Sequence, residues 1–188
     1  MQAKFRGCVM SFEASETVTQ EFFEYLVETH SLGHDGFHGK DHWLRVLHNA
    51  REIAVGTGAN LRVLELFAVL HDSRRENENH DPEHGHRAAA HAVELRGKWF
   101  DLADDEMALL IEACRFHSDG MTEADSTIQA CWDADRLDLG RVGVRPSPRF
   151  LCTTYAQQPE VINAAYLRSV LACDGEHDRN LHGTRRWR

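Results

Sequence analysis

Apolar residues return every three or four positions in one segment after another along this chain, and no segment alternates apolar and polar residues as a half-buried strand would. Between Thr17 and His30 the apolar residues are Val18, Phe22, Phe23, Leu26 and Val27, and Thr17 with Gln20 has the form of a capping box. A second helix is predicted from roughly Lys40 to Val55, with Trp43, Val46, Leu47, Ala50, Ile53 and Ala54 as its stripe. The segment "GTGAN" ends it with a glycine C-cap and supplies Asn60 as the next N-cap. A third helix follows from Leu61 to about His71, carrying Leu64, Phe67 and Ala68. Asp81 as N-cap and Pro82 at the first helical position open a fourth, through about Leu95. A fifth spans about Asp104 to Phe116, a sixth covers "STIQACWDADRLDLGRVG" and ends near Gly140, and a seventh runs from Pro159 to about Cys173. The expected fold class is all-α, a compact multi-helix bundle.

The 188 residues suit one domain, 1–188, able to bury a core without disulfides or structural metal. The five cysteines (Cys8, Cys114, Cys131, Cys152, Cys173) never form a CxxC pair and read as reduced thiols. No apolar run approaches a membrane span, and "MQAKFRGCVM" lacks the apolar stretch of a signal peptide, so a cytoplasmic location and no membrane partner are expected. A formal charge of −9 argues against duplex nucleic acid as a partner. The basic tail "TRRWR" reads as a solvated chain end. Nothing in the sequence sets an oligomeric state.

The unusual count is thirteen histidines. His42 precedes Val46 by one turn on the apolar side of the second helix, and His71 follows Leu64 and Phe67 on the inner side of the third. Asp72 diverges from His71 by about 100° around the helix, so both reach one ion only if it lies between them at the helix end. A third, distant helix contributes the aspartates of "WDADRLD". Four nitrogen and oxygen donors from three helices suit a divalent ion such as Zn, Mn, Fe, Co or Ni.

The ordered set His42, His71-Asp72 and Asp135, in the contexts "HWLRV", "LFAVLHD" and "DADRLD", resembles the HD-domain superfamily of metal-dependent phosphohydrolases over roughly residues 36–143. The helices at 17–30 and about 159–173 would then pack on that motif-bearing core. Within "DADRLD" the family pattern takes Asp135 as the ligand, with Asp133 as the alternative. Two-metal relatives carry further histidines where this chain has His84 and His117, which implies a second ion; the competing reading has His84 exposed at a helix start and His117 capping a helix end. One ion per chain is the basic expectation, two if both histidines ligate. His80, His86 and His91 are expected to face solvent.

A bound divalent ion activates water and polarises a phosphoryl oxygen, so a small anionic phosphate-containing substrate is implied, a nucleotide or similar phosphomonoester. Arg74 and Arg75 follow the doublet and offer a guanidinium fork for its charge. His38, four residues before His42, offers support to a ligand or a phosphate contact. Glu76 occupies the place of an acidic residue that in several relatives orients water or protonates the leaving oxygen. The basic pair Arg74-Arg75 stands where stringent-response hydrolases carry an acidic pair, and the "GYP" of cyclic-di-GMP phosphodiesterases is missing. Two alternatives stay open: a di-iron oxygenase of the same superfamily, and a non-catalytic helical module that binds a nucleotide or a partner.

Overall fold

Helices form where the apolar periodicity predicts them. The computed structural model describes residues 10–32 and 36–177, with side chains through residue 171. Among these residues α1 is Gln20–Thr29, α2 Lys40–Thr57, α3 Leu61–Leu70, α4 His84–Leu95, α5 Asp104–Phe116, α6 Ser126–Arg136 and α7 Pro159–His177, with 3-10 turns at Leu139–Val142 and Pro148–Phe150. The described residues contain no strand beyond a single bridge between Arg96 and Phe100, so the fold is all-α. None of their helices is long and apolar enough to cross a membrane.

The middle of the bundle is α3. Every residue from Val63 to Leu70 is buried, as expected of a helix surrounded by others, and it touches α1, α2, α4, α5 and α6. Each fully buried Leu or Phe on it contributes about 1.5–3 kcal/mol of transfer free energy. The one acid in this run, Glu65, stays buried because Arg51 Nε (2.8 Å) and Ser15 Oγ (2.7 Å) donate to its carboxylate. Asn60 caps α3 by accepting from the Arg62 and Val63 amides, and Gly58 ends α2 at φ 76°.

Three predicted boundaries move, each for a local reason. The cap of α1 is Thr19, whose Oγ1 accepts from the Phe22 amide, rather than Thr17; Gln20 pairs with Glu24 instead of closing a box. Asp81 does not cap α4, which begins at His84. Its carboxylate is drawn into the preceding loop, where it accepts from the Glu76 amide (2.8 Å) and from Arg87 (2.6 Å to both oxygens). Finally, α6 stops at Arg136 and the chain tightens into the 139–142 turn because Gly140 presses on α7: a Cβ there would lie 2.7 Å from that of Ser169.

The seventh helix extends to His177, past the predicted end. The predicted role of the tail "TRRWR" lies outside the described residues.

Candidate metal centre

Five helix ends meet where α3 runs out. His71 is the C-cap of α3, its ring stacked on Phe67 at 4.9 Å between centroids. The chain then turns, with Ser73 N bonded to Leu70 O and Arg75 N to Asp72 O. That turn points Asp72 and Arg75 inward and sends Ser73 and Arg74 toward α4. His42 comes from the first turn of α2, Asp135 from α6, His84 from the start of α4 and His117 from the C-cap of α5.

The ligating atoms converge as two groups that share Asp72. In the first, His42 Nε2 and His71 Nε2 lie 3.1 Å apart, each 3.5 Å from Asp72 Oδ2, and 3.4 and 3.7 Å from Asp135 Oδ1. In the second, His84 Nε2 and His117 Nε2 lie 2.8 Å apart and 3.5 and 3.7 Å from the other oxygen, Asp72 Oδ1. Atoms bound to one ion at about 2.0–2.2 Å lie roughly 3–3.6 Å from each other. Asp72 thus offers one carboxylate oxygen to each pair of imidazoles.

Hydrogen bonding on the far side of each ring fixes what the near side can do. His71 Nδ1 faces Phe67 O at 3.1 Å, His117 Nδ1 faces Cys114 O at 2.7 Å, His84 Nδ1 faces Asp81 O, and His42 Nδ1 faces Asp138 Oδ2 at 2.8 Å. Those oxygens only accept, so each Nδ1 donates outward and each Nε2 is turned toward the cluster. Two Nε2 atoms facing each other at 2.8 and at 3.1 Å need a proton or a cation between them. Asp135 Oδ1 is buried without a hydrogen-bond partner among the described residues, which leaves an unsatisfied acceptor turned to the same point. The residues present therefore fit a pair of divalent ions.

The electrostatics agree. Burial pushes His71 down to about 3, so it stays neutral and ligand-ready at physiological pH. Burial alone would raise the Asp72 carboxyl, but His71, His117 and His42 outweigh it and hold it well below the usual carboxylate range. Asp135 is depressed against its own burial by His71, Arg141 and His42. His84 is lowered by burial and by His117. His117 alone moves up: burial opposes its charge, yet Asp72 beside it prevails.

The geometry selects between the aspartates of "DADRLD". Asp135 joins the cluster, whereas Asp133 turns the other way and accepts from Cys152 N (2.7 Å), Thr153 N (2.8 Å) and Thr153 Oγ1 (2.7 Å), pinning that loop to α6. His84 is buried, which removes the reading of an exposed helix start, whereas His117 does cap the end of α5, buried and with its Nε2 turned into the cluster. His91 also departs from expectation: it is buried rather than solvent-facing, with Nδ1 on Ser73 Oγ (3.3 Å) and Nε2 accepting from Arg74 (2.7 Å), and burial lowers it to about 4. His80 and His86 are exposed.

The expected guanidinium fork does not form. Arg75 is buried and directs NH1 to Asp72 Oδ1 (3.3 Å), Nε to Asn77 O (3.3 Å) and NH2 to Asn79 O (3.4 Å), so it holds the shared ligand and its loop. Arg74 goes to His91 and lines a separate depression of about 390 Å³ with Glu76 and Arg87. Glu76 is 70% exposed and pairs with Arg87 at 3.5 Å, away from the ligands. His38 sits near the cluster, its ring 6.2 Å from that of His42, and is tied through Nδ1 to Glu78 at 2.5 Å.

Sequence reasoning missed Asp138, which is 1% exposed and accepts from His42, Arg45 Nε (2.7 Å) and Ser169 Oγ (2.7 Å). Its signal was present, three residues after Asp135 on one helical face; Arg45, Ser169 and Arg141 had none. The approach of α4 to α5 depends on Gly85, where a Cβ would stand 2.7 Å from the carbonyl oxygens of both Cys114 and Arg115. Alanine there should cost about 1–3 kcal/mol by forcing the helices apart, against the roughly 1 kcal/mol gain that Gly→Ala brings in an open helix. Urea midpoints give the sign, and a metal titration should show the His84/His117 half weakened first; a stabilised protein with unaltered metal binding would contradict this packing argument.

Cys114 and Cys131 are buried free thiols and Cys152 is a half-buried one. No family model matches the chain, and neither the curated proteins nor the solved structures hold a match to it.

Proposed function

We propose that this protein is a metal-dependent phosphohydrolase of the HD-domain type, acting on a small phosphate ester such as a nucleotide. The observation that carries the reading is Asp72, whose two oxygens face two separate pairs of imidazole nitrogens. His42, His71, Asp72 and Asp135 would hold one ion, and Asp72, His84 and His117 the other. Ions bound there supply hydroxide from water near neutral pH and an electrophile for a phosphoryl oxygen. The protein's own part is orientation and exclusion. Asp138 and three backbone carbonyls lock the imidazole tautomers, Arg75 steadies Asp72, and burial behind Phe67 keeps bulk water from the histidines. Free thiols at Cys114 and Cys131 support a reducing compartment such as the cytoplasm.

The full chain, purified without chelator and reconstituted with Mn²⁺ or Zn²⁺, should carry about two ions by elemental analysis and release inorganic phosphate from some member of a phosphate-ester panel. Failure to bind metal under any reconstitution would overturn the reading. The all-nitrogen-and-oxygen donor set, with His84 and His117 inside it, also suits iron and so favours a di-iron oxygenase as second reading. Oxygen uptake by the iron-loaded protein without phosphate release would select it.

A further inference from the structure

A depression of about 390 Å³ opens beside the turn that follows Asp72, and none of its lining residues belongs to the metal centre. One wall is a face of α4, where Arg87, Ala90, His91 and Glu94 recur at helical spacing, and the other carries Arg74 and Glu76. The volume falls among the roughly 300–1,000 Å³ of small-molecule sites.

Arg74 is held in that wall by a neutral partner. The Ser73 hydroxyl donates to Leu70 O at 2.8 Å, so at 3.3 Å its oxygen accepts from His91 Nδ1, and His91 Nε2 is left to accept from Arg74 NH2 at 2.7 Å. Burial lowers His91 to about 4, which keeps the ring uncharged at neutral pH. Among the described residues no carboxylate oxygen comes within 4.0 Å of the Arg74 guanidinium. Its Nε and NH1 have no hydrogen-bond partner among them either, and solvent reaches both.

The other charges of the depression are engaged elsewhere or set back from Arg74. Arg87 meets both Asp81 oxygens at 2.6 Å, and Glu76, 70% exposed, turns to Arg87 at 3.5 Å. Glu94 is exposed and stands farther than 4.0 Å from any cation of the described residues. Its charge opposes an anion in the depression without reaching Arg74 to cancel it.

We propose that this depression is a second binding site, in which Arg74 receives a compact oxyanion of the phosphate class apart from the metal ligands. A guanidinium anchored at one nitrogen presents its remaining donors as a fork that matches two oxygens of a phosphate. The neutral ring orients that charge and leaves it available. The site does not depend on the hydrolase reading, because none of its residues is a metal ligand.

The full chain, metal-loaded and chelator-treated, is titrated calorimetrically with inorganic phosphate and, after chelation, with ribose 5-phosphate. Arg74→Gln keeps a donor for His91 Nε2 and removes the charge, so it should weaken phosphate binding to the chelator-treated protein about 10- to 100-fold. Arg74→Lys should recover part of the loss, since it restores charge without the fork. Glu94→Gln should tighten binding about two- to fivefold, the size of an exposed charge–charge interaction, and its exposed position keeps it informative where an Arg74 variant folds poorly. Comparable affinities for the two probes assign the site to inorganic phosphate, whereas a clear preference for the ester assigns it to a phosphorylated metabolite whose sugar fills the cavity. An Arg74→Gln affinity close to that of wild type overturns the proposal, as does weaker binding in Glu94→Gln. Phosphate bound by the metal-loaded protein alone overturns it too, and places the anion on the ions with the hydrolase reading intact.

Discussion

Asp72→Asn should abolish binding of the proposed pair of ions while leaving the helical content intact. Asp72 offers one oxygen to each group, since Oδ2 faces His42 and His71 and Oδ1 faces His84 and His117. Substituting a residue that merely supports a ligand commonly weakens metal binding 10–100-fold, so loss of a shared anionic ligand should weaken each site by at least on the order of 100-fold. The amide keeps an acceptor for Arg75, 3.3 Å away, which avoids stranding that buried guanidinium. Asp72→Ala would do so, and breaking a buried ion pair from one side costs about 3–5 kcal/mol. The pair of variants therefore separates ligation from folding: both lose metal and any phosphatase activity, but only the alanine variant shows a large drop in urea midpoint. An asparagine variant that retained two ions at wild-type affinity would refute the bridging role.

The same residue illustrates how far a sequence can be read. His42, His71, Asp72 and Asp135 stand at positions where helical spacing demands apolar neighbours, and a polar residue on a buried stripe announces itself. His84 and His117 gave a weaker signal because each lies at a helix terminus, where sequence spacing leaves burial undetermined. Only the close approach of α4 to α5 at Gly85 decides that both face inward. Arg74, Arg75 and Glu76 misled for a related reason. They are adjacent in sequence to the doublet, but the turn after Asp72 brings Arg75, three residues on, back to the cluster and sends Arg74 and Glu76 to another depression. The helices themselves were legible from apolar periodicity. Their caps were less so, because Asp81 had a stronger partner in Arg87 than in the backbone amides it was expected to cap. Arg141 depends on a turn locked to α7 from about thirty residues further along, a tertiary contact that no local pattern encodes.

Acid should unfold the ion-free protein well before its carboxylates titrate. The folded state holds His71 at about 3, against 6.5 for an unhindered imidazole, because burial disfavours the charged ring. A depressed histidine contributes stability that is fully present above about pH 6.5 and falls away as pH drops toward 3, since only the unfolded chain takes up the proton. Stopping at pH 4.5 exposes about two pH decades of that window, on the order of 2–3 kcal/mol from His71 alone. His38, His84 and His91 are depressed as well and act in the same direction. His117 opposes them: raised by Asp72, it stabilises the fold below pH 6.5 and loses that contribution as pH rises through its folded value. His48, lowered by burial, adds to them, and one histidine against five leaves the balance with acid destabilisation. Asp72 and Asp135, held low by the same imidazoles, add their loss only below about pH 4, where the unfolded carboxylates protonate. Urea midpoints of chelator-treated protein at pH 7.5, 6.0 and 4.5 should therefore fall steadily, and a His71→Gln variant should lose part of the slope. A midpoint that is flat or rising toward pH 4.5 would mean that the cluster folds with its histidines already charged, and protons rather than a metal would separate the facing nitrogens.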